Sequence, residues 1–280
     1  FVRIIRSGVV GRRSFGTLAK RKINQWLNKR TPIQLFNDSI GHSDPSLVDI
    51  IKLCHTKFSR QLQTISKYIL GFKVSARSKL PIEVTQFEKF KSGDTKEVPN
   101  IPFRCLTSFE LTNEQWFDVA MKMPFNTLRQ NLLMLSKRNA FSSVVKRVAV
   151  ANKILESQND AKVFPFQIYT AYDMYVKNNG RDEIAVALYK VFLNSVKSIS
   201  KRINGCATVC VDISGSMCGP FNSHSNVTMS FIAAVYAACI LYSNPNSKLV
   251  VFDTVAHSVE YAREDFDGIV KILNQANGGT

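Results

Sequence analysis

The first thirty residues contain no acidic side chain, although nine of them are Lys or Arg. Acidic residues are scarce in the whole chain, where 37 Lys and Arg against 21 Asp and Glu give a net charge of +16. The excess lies in residues 1–204, which carry 34 basic and 15 acidic side chains, whereas residues 205–280 carry 3 and 6. Such an imbalance favours a polyanionic partner, RNA or DNA, for the first part; a solvated basic surface is the alternative.

Other absences exclude further classes of protein. No apolar run reaches about 18 residues, so neither a membrane-spanning helix nor a membrane partner is predicted. The six cysteines form no Cys-x-x-Cys pair and the four histidines are scattered, which argues against a zinc site. Unpatterned cysteines fit a reducing compartment, and we expect a cytoplasmic protein. The chain begins with Phe, and residues 205–280 are too few for an α/β domain of roughly 100–150 residues, so we expect both ends to be incomplete.

The apolar spacing in residues 17–200 predicts successive short amphipathic helices, as in a helical-repeat solenoid. Asp44 is expected to cap the clearest of these helices, with Pro45 at its first helical position. Thr112–Gln115 matches a capping box, and Asp182 caps a later helix. Between 73 and 102 we expect a long connection with one short helix near 86–90. Two inward faces are predicted as follows: Ala19, Ile23, Trp26 and Leu27 in the first helix, and Val144, Val148, Ala151 and Leu155 further on.

The tyrosines between Tyr169 and Tyr175 have helical spacing, which favours a place in the core over a shelf for stacking bases. After a boundary at 201–205 the pattern changes. Strands are predicted over 207–211 and 248–252, with helices over 227–242 and 266–275. This order predicts a parallel, doubly wound sheet.

Asp212, Ser214 and Ser216 follow the first predicted strand directly. Ligands of α/β sheets bind at the carboxyl ends of the strands, and one carboxylate with two hydroxyls suits Mg²⁺ or another divalent cation. This Asp-x-Ser-x-Ser resembles the metal-ion-dependent adhesion site of von Willebrand factor A domains. An ordinary Asp/Ser turn is the alternative.

Several segments together resemble the Ro autoantigen family, in which a helical module called TROVE precedes a von Willebrand factor A domain. They include Ser46–His55, Trp116–Leu133, Val211–Met217 and Gly278–Thr280. The resemblance implies two parts: HEAT-like helical repeats over 1–204 and an incomplete α/β domain over 205–280. In that family the repeats close into a monomeric ring. Single-stranded 3′ ends of misfolded noncoding RNAs enter its hole, and Y RNAs bind its rim.

The resemblance also implies roles for particular residues. Asp212, Ser214, Ser216 and Thr280 match metal-loop positions. Lys20, Arg21, Lys22 and His55 match segments that contact Y RNA, and an offset before Trp26 leaves the exact lysine open. Other candidate RNA-binding residues are Arg12, Arg13 and Lys52.

The first functional hypothesis is a Ro-type RNA-binding protein of RNA quality control, with an exoribonuclease or another protein docking at the metal loop. The alternative is a metal-dependent protein-interaction module acting through Asp212. We do not expect an enzyme, since no Gly-x-Ser-x-Gly elbow surrounds Ser214 or Ser216 and the local motif supplies no histidine base.

Overall fold

The computed structural model contains twelve α-helices and one three-stranded sheet in the part of the chain that it describes. It describes residues 16–40, 45–74, 79–157, 163–200, 206–221, 227–244, 246–262 and 265–275. Within these ranges no helix is both long enough and apolar enough to cross a membrane. The helices are α1 Thr17–Asn28, α2 Pro32–Ser39, α3 Leu47–Cys54, α4 Gln63–Ile69, α5 Ile82–Ser92, α6 Asn113–Lys122, α7 Phe125–Lys137, α8 Val144–Glu156, α9 Pro165–Asn179, α10 Glu183–Ser200, α11 Met229–Ser243 and α12 Phe266–Gln275.

The chain divides into two compact units, Phe1–Met123 and Pro124–Thr280, here called the N-terminal and C-terminal units. The N-terminal unit has its own apolar core, to which α1 to α5 all contribute. Its most deeply buried members are Leu27, Leu35, Leu62, Ile65 and Val84. The C-terminal unit contains helices α7 to α12 and the sheet. The division proposed from the sequence at 204/205 stays a prediction; α10 ends at Ser200 and the first strand begins at Thr208.

The sheet consists of β1 Thr208–Asp212, β2 Lys248–Phe252 and β3 Ala256–Val259, in that order. The first two strands are parallel, and Asp212 lies opposite Phe252 at their carboxyl ends. A wholly parallel sheet was the wrong prediction, because β3 is antiparallel to β2. The Asp253 carboxylate accepts the Val255 N–H at 3.0 Å and closes a short turn. A turn this short can join only antiparallel strands.

Two of the three predicted helix caps are confirmed. Thr112 accepts the Gln115 N–H while the Gln115 side chain accepts the Thr112 N–H, which confirms the predicted capping box of α6. Asp182 caps α10 by accepting N–H groups of its first turn at 3.0 Å, also as predicted. The cap predicted for α3 is wrong. Ser46 is the N-cap and forms a capping box with Asp49, because its hydroxyl stands three residues before a carboxylate. Asp44 lies outside the described residues.

Two inward faces were predicted incorrectly in part. Leu27 is fully buried and Ile23 packs against the core, but Trp26 is 45% exposed. In α8, Val144 and Val148 are exposed, whereas Val150, Ala151 and Ile154 are buried. Both errors have the same cause: β-branched and aromatic residues occupy more than one face of these helices, so spacing alone does not choose between faces.

The short helix expected near 86–90 is present but longer than predicted, since α5 spans Ile82–Ser92.

An aromatic cluster joins the helices to the α/β elements within the C-terminal unit. The ring of Tyr169 in α9 lies 5.1 Å from Phe192 of α10, 6.0 Å from Phe231 of α11 and 5.2 Å from Phe266 of α12. Phe192 and Phe266 meet edge to face at 4.7 Å. The Tyr169 hydroxyl donates to Asp267 at 2.8 Å, and burial together with this bond raises the pKa of Tyr169. Tyr169, Tyr172 and Tyr175 are all buried, which confirms the prediction that these tyrosines belong to the core.

Candidate nucleic-acid interface and metal loop

Helix α1 presents a dense positive charge on the N-terminal unit. Its sequence holds three consecutive basic residues and no acid. Arg21 and Lys22 are exposed, while Lys20 is partly buried. Leu27 fixes the inner side of the helix, which faces away from Arg21 and Lys22, since its side chain is fully buried in the core. The anchored helix therefore holds Arg21 and Lys22 at the surface without an acidic neighbour on the same helix.

The inner side of α1 packs against the end of α3. Ala19 and Ile23 contact the buried Cys54, the last residue of α3. Polar bonds fix the segment that follows: Thr56 Oγ1 donates to Asn24 Oδ1 at 2.7 Å, and Asn28 Oδ1 accepts the Ser59 N–H at 2.8 Å. Two asparagines of α1 thus hold the connection after α3 in place.

This packing sets His55 beside the basic helix. His55 ends α3 in the left-handed region, with a φ of 51°, and its side chain is exposed. Lys52 is exposed one turn earlier. Burial raises the pKa of the Cys54 thiol, and the positive charge of Lys20 partly opposes that rise. Lys20 therefore lies within electrostatic reach of the residue next to His55.

The predicted metal loop, residues 212–216, lies at the carboxyl end of β1 in the C-terminal unit. The Ser214 N–H donates to Asp212 Oδ1 at 2.8 Å, and the hydroxyl oxygens of Ser214 and Ser216 are 3.0 Å apart. A 3₁₀ turn, Gly215–Cys218, carries Ser216 back toward the strand end. One carboxylate and two hydroxyls thus converge, a donor set that fits a hard divalent cation retaining several waters.

Hydrogen bonds favour the charged form of Asp212. The pKa of its carboxyl group is lowered, first by the Ser214 side chain and second by the Ser214 N–H. The pKa of Asp253, at the end of the neighbouring strand, is also lowered, chiefly by the Val255 N–H. Since that bond closes the turn to β3, Asp253 has a structural role. Within the described ranges no group of three or more His, Cys, Asp or Glu side chains surrounds a metal position, so a cation here would depend on hydroxyl ligands and water.

Among solved structures, the chain is similar to the Ro (RSR) protein of Deinococcus radiodurans. The two match with a TM-score of 0.63 over 92% of this chain. The fold of this chain is that of a Ro protein. The sequences are 15% identical, and the chain spans 57% of the length of that Ro chain. No family model matches the sequence, and no curated protein matches it.

The predicted site residues form two groups, one in each unit. Lys20, Arg21 and Lys22 belong to α1, and α1 packs against the end of α3, where Lys52 and His55 stand. The metal-loop residues that come together are Asp212, Ser214 and Ser216. Three predicted residues lie outside the described residues: Arg12, Arg13 and Thr280.

The sequence prediction missed one basic residue that the Ro fold places beside this surface. Lys57 is exposed, and its carbonyl accepts the Asn28 side-chain amide at 3.1 Å, which fixes it against α1. A sequence signal was available, because Lys57 follows His55 by two residues in a segment without acids. We define the basic surface as Lys20, Arg21, Lys22, Lys52, His55 and Lys57.

Proposed function

We propose that this protein binds noncoding RNA, in the manner of Ro ribonucleoproteins, through the basic surface of its N-terminal unit. The observation that carries the proposal is the packing of the acid-free helix α1 against the end of α3. It places the end of α3, with Lys52 and His55, next to the helix that carries Lys20, Arg21 and Lys22. The Ro fold, the charge excess of residues 1–204 and the sequence resemblance support the same function.

Lys and Arg side chains give affinity for RNA mainly by neutralising phosphates and releasing counterions. Those contacts carry no sequence information. The proposed ligands are therefore defined by their secondary structure and not by their base sequence. They are Y-like stem-loop RNAs, and structured RNAs with a single-stranded 3′ end. The role in the cell would be recognition of small RNAs in quality control, with binding and no catalysis by this chain.

A comparison of two RNAs tests the proposal. One is a blunt hairpin, and the other is the same hairpin with a single-stranded 3′ tail. Filter binding at low salt should show tighter binding of the tailed RNA, because a flexible strand can bring its phosphates to the basic surface more freely than a rigid duplex. Equal affinity for both RNAs would contradict the proposed recognition of single-stranded 3′ ends, and no binding of either would contradict RNA binding itself.

A second candidate function rests on the convergence of Asp212, Ser214 and Ser216. We propose that this loop binds a divalent cation and that the cation, bound there, accepts a Glu or Asp side chain of a partner protein. A cavity of about 520 Å³ reaches Cys218, two residues after Ser216. Cys218 and Ser230 line it from the α/β elements, and Asp173 and Lys177 line it from α9. The two functions can coexist because they use different units.

Replacing Asp212 with Asn should abolish Mg²⁺ binding, since it removes the only charged ligand of the loop. Isothermal calorimetry should show binding heat for the wild type and none for Asp212→Asn. Glu260→Gln, which removes one exposed acidic charge from the same unit, is the matched control and should bind normally.

The lowered pKa of Asp212 adds a pH dependence. The carboxylate stays charged below the ordinary Asp pKa of about 3.9, so Mg²⁺ binding should persist there and disappear as the pH falls through the lower folded value.

RNA affinity should be unchanged in Asp212→Asn, whereas a pull-down that depends on the metal should fail. If Asp212→Asn keeps the binding heat, this loop does not bind Mg²⁺ through Asp212.

A further inference from the structure

Trp26 is one of two tryptophans in the chain and the only one at the surface among the described residues. It is 45% exposed, whereas Trp116 is 2% exposed. The guanidinium carbon of Arg30 lies 4.2 Å from the centroid of the Trp26 ring. The indole is therefore held by a cation–π contact while nearly half of the residue is accessible.

Trp26 belongs to the same helix as the basic residues of α1. Leu18, Lys22, Trp26 and Arg30 follow one another at intervals of four, so they lie along one side of the helix and its end. Leu18 is 65% exposed and Lys22 is exposed as well. An exposed aromatic ring thus lies between two positive side chains, Lys22 and Arg30, on this side of the helix.

Arg30 orients the ring, and the acid that pairs with Arg30 belongs to another helix and not to α1. Its Nε lies 3.1 Å from Asp38 Oδ2, as an ion pair, although without the alignment of a hydrogen bond. Asp38 is the acid paired with this guanidinium, and it belongs to α2. The positive charges of Arg21 and Lys22 have no acid within α1.

We propose that Trp26 is a stacking platform for an unpaired base of single-stranded RNA, while Lys22, one helical turn before it, binds an adjoining phosphate. This inference rests on the proposed RNA-binding function and names the part of the RNA that touches α1. Proteins that bind single strands combine a basic track with aromatic rings on which bases stack. The Trp26–Arg30 pair supplies such a ring, already oriented, at the end of the basic run.

Intrinsic fluorescence gives a direct test, because the second tryptophan is buried. Adding a short oligouridylate to the wild-type chain should quench the tryptophan emission in a saturable way as a base stacks on Trp26. In Trp26→Phe the remaining emission comes from Trp116, and the same titration should leave it unchanged. Trp26→Ala should weaken binding about 5- to 150-fold, as expected for one lost stacking contact.

Phe72→Ala is the matched control, since Phe72 is an exposed aromatic residue of the same unit; its affinity should equal that of the wild type. Filter binding of the same oligonucleotide separates the outcomes. Retention of RNA without quenching, or wild-type affinity in Trp26→Ala, would overturn the stacking role and leave the RNA-binding function standing. Failure of the wild type to bind any RNA would overturn the function itself.

Discussion

Raising the salt concentration from about 50 to 200 mM should weaken the binding of a 3′-tailed RNA by about 10³- to 10⁵-fold. This range corresponds to 6–10 phosphate contacts, each of which releases condensed counterions. The basic surface offers six side chains for such contacts, and the net charge of residues 1–204 adds to the field around them. A plot of log affinity against log salt concentration gives the number of contacts from its slope.

The triple variant Lys20→Ala, Arg21→Ala, Lys22→Ala identifies where those contacts are. Losing three of them should reduce the slope by about 2 to 3 units, so the variant and the wild type should differ most at low salt. The control variant is Lys67→Ala, Lys89→Ala, Lys96→Ala, which removes three exposed charges elsewhere in the same unit. Equal slopes for the two triple variants would mean that the net charge, and not the α1 surface, drives binding.

Replacing Phe266 with Ala should destabilise the C-terminal unit by about 3–5 kcal/mol, the usual cost of deleting a buried aromatic side chain. Phe266 is 1% exposed and touches rings from three helices: Tyr169 at 5.2 Å, Phe192 at 4.7 Å and Tyr242 at 6.3 Å. The cavity would open at the centre of the cluster that joins α9 and α10 to α12. Urea unfolding followed by circular dichroism should show the loss.

Phe164→Ala is the comparison, because Phe164 also belongs to the C-terminal unit but is 61% exposed. Its cost should be a small fraction of that for Phe266→Ala. Similar midpoints for the two variants would show that the aromatic cluster is not a shared core. RNA affinity should be unchanged by both substitutions, since the basic surface belongs to the N-terminal unit.

Local chemistry made most elements predictable. Short segments of sequence determine three of them, so the sequence alone locates them: the capping box at Thr112, the cap at Asp182 and the strand over 248–252. The cap of α3 was harder to place, because Asp44 and Ser46 are both good N-caps and only the reciprocal bond from Asp49 decides between them. The antiparallel β3 was not predicted at all, since its four residues are too few for a clear alternation.

Of the two candidate sites, one could be predicted from a short segment of sequence and the other depends on packing between helices. Asp212, Ser214 and Ser216 are neighbours in sequence, so their convergence follows from one strand and one turn. The basic surface needs the packing of α1 on α3, which no local pattern specifies. Trp26 was assigned to the core because its position fits an apolar stripe. Its exposure follows from Leu27, which occupies the core position next to it.

A stacked array of helices needs an end that does not leave apolar side chains open to water, and repeat proteins usually supply a polar terminal repeat for that purpose. In the C-terminal unit, α9 and α10 are covered differently. Tyr169 and Phe192 meet rings from α11 and α12, and Arg181, just before α10, pairs with Asp267 of α12 at 3.1 Å. The α/β elements therefore cover the apolar side of α9 and α10, and a second type of architecture completes the core of this unit.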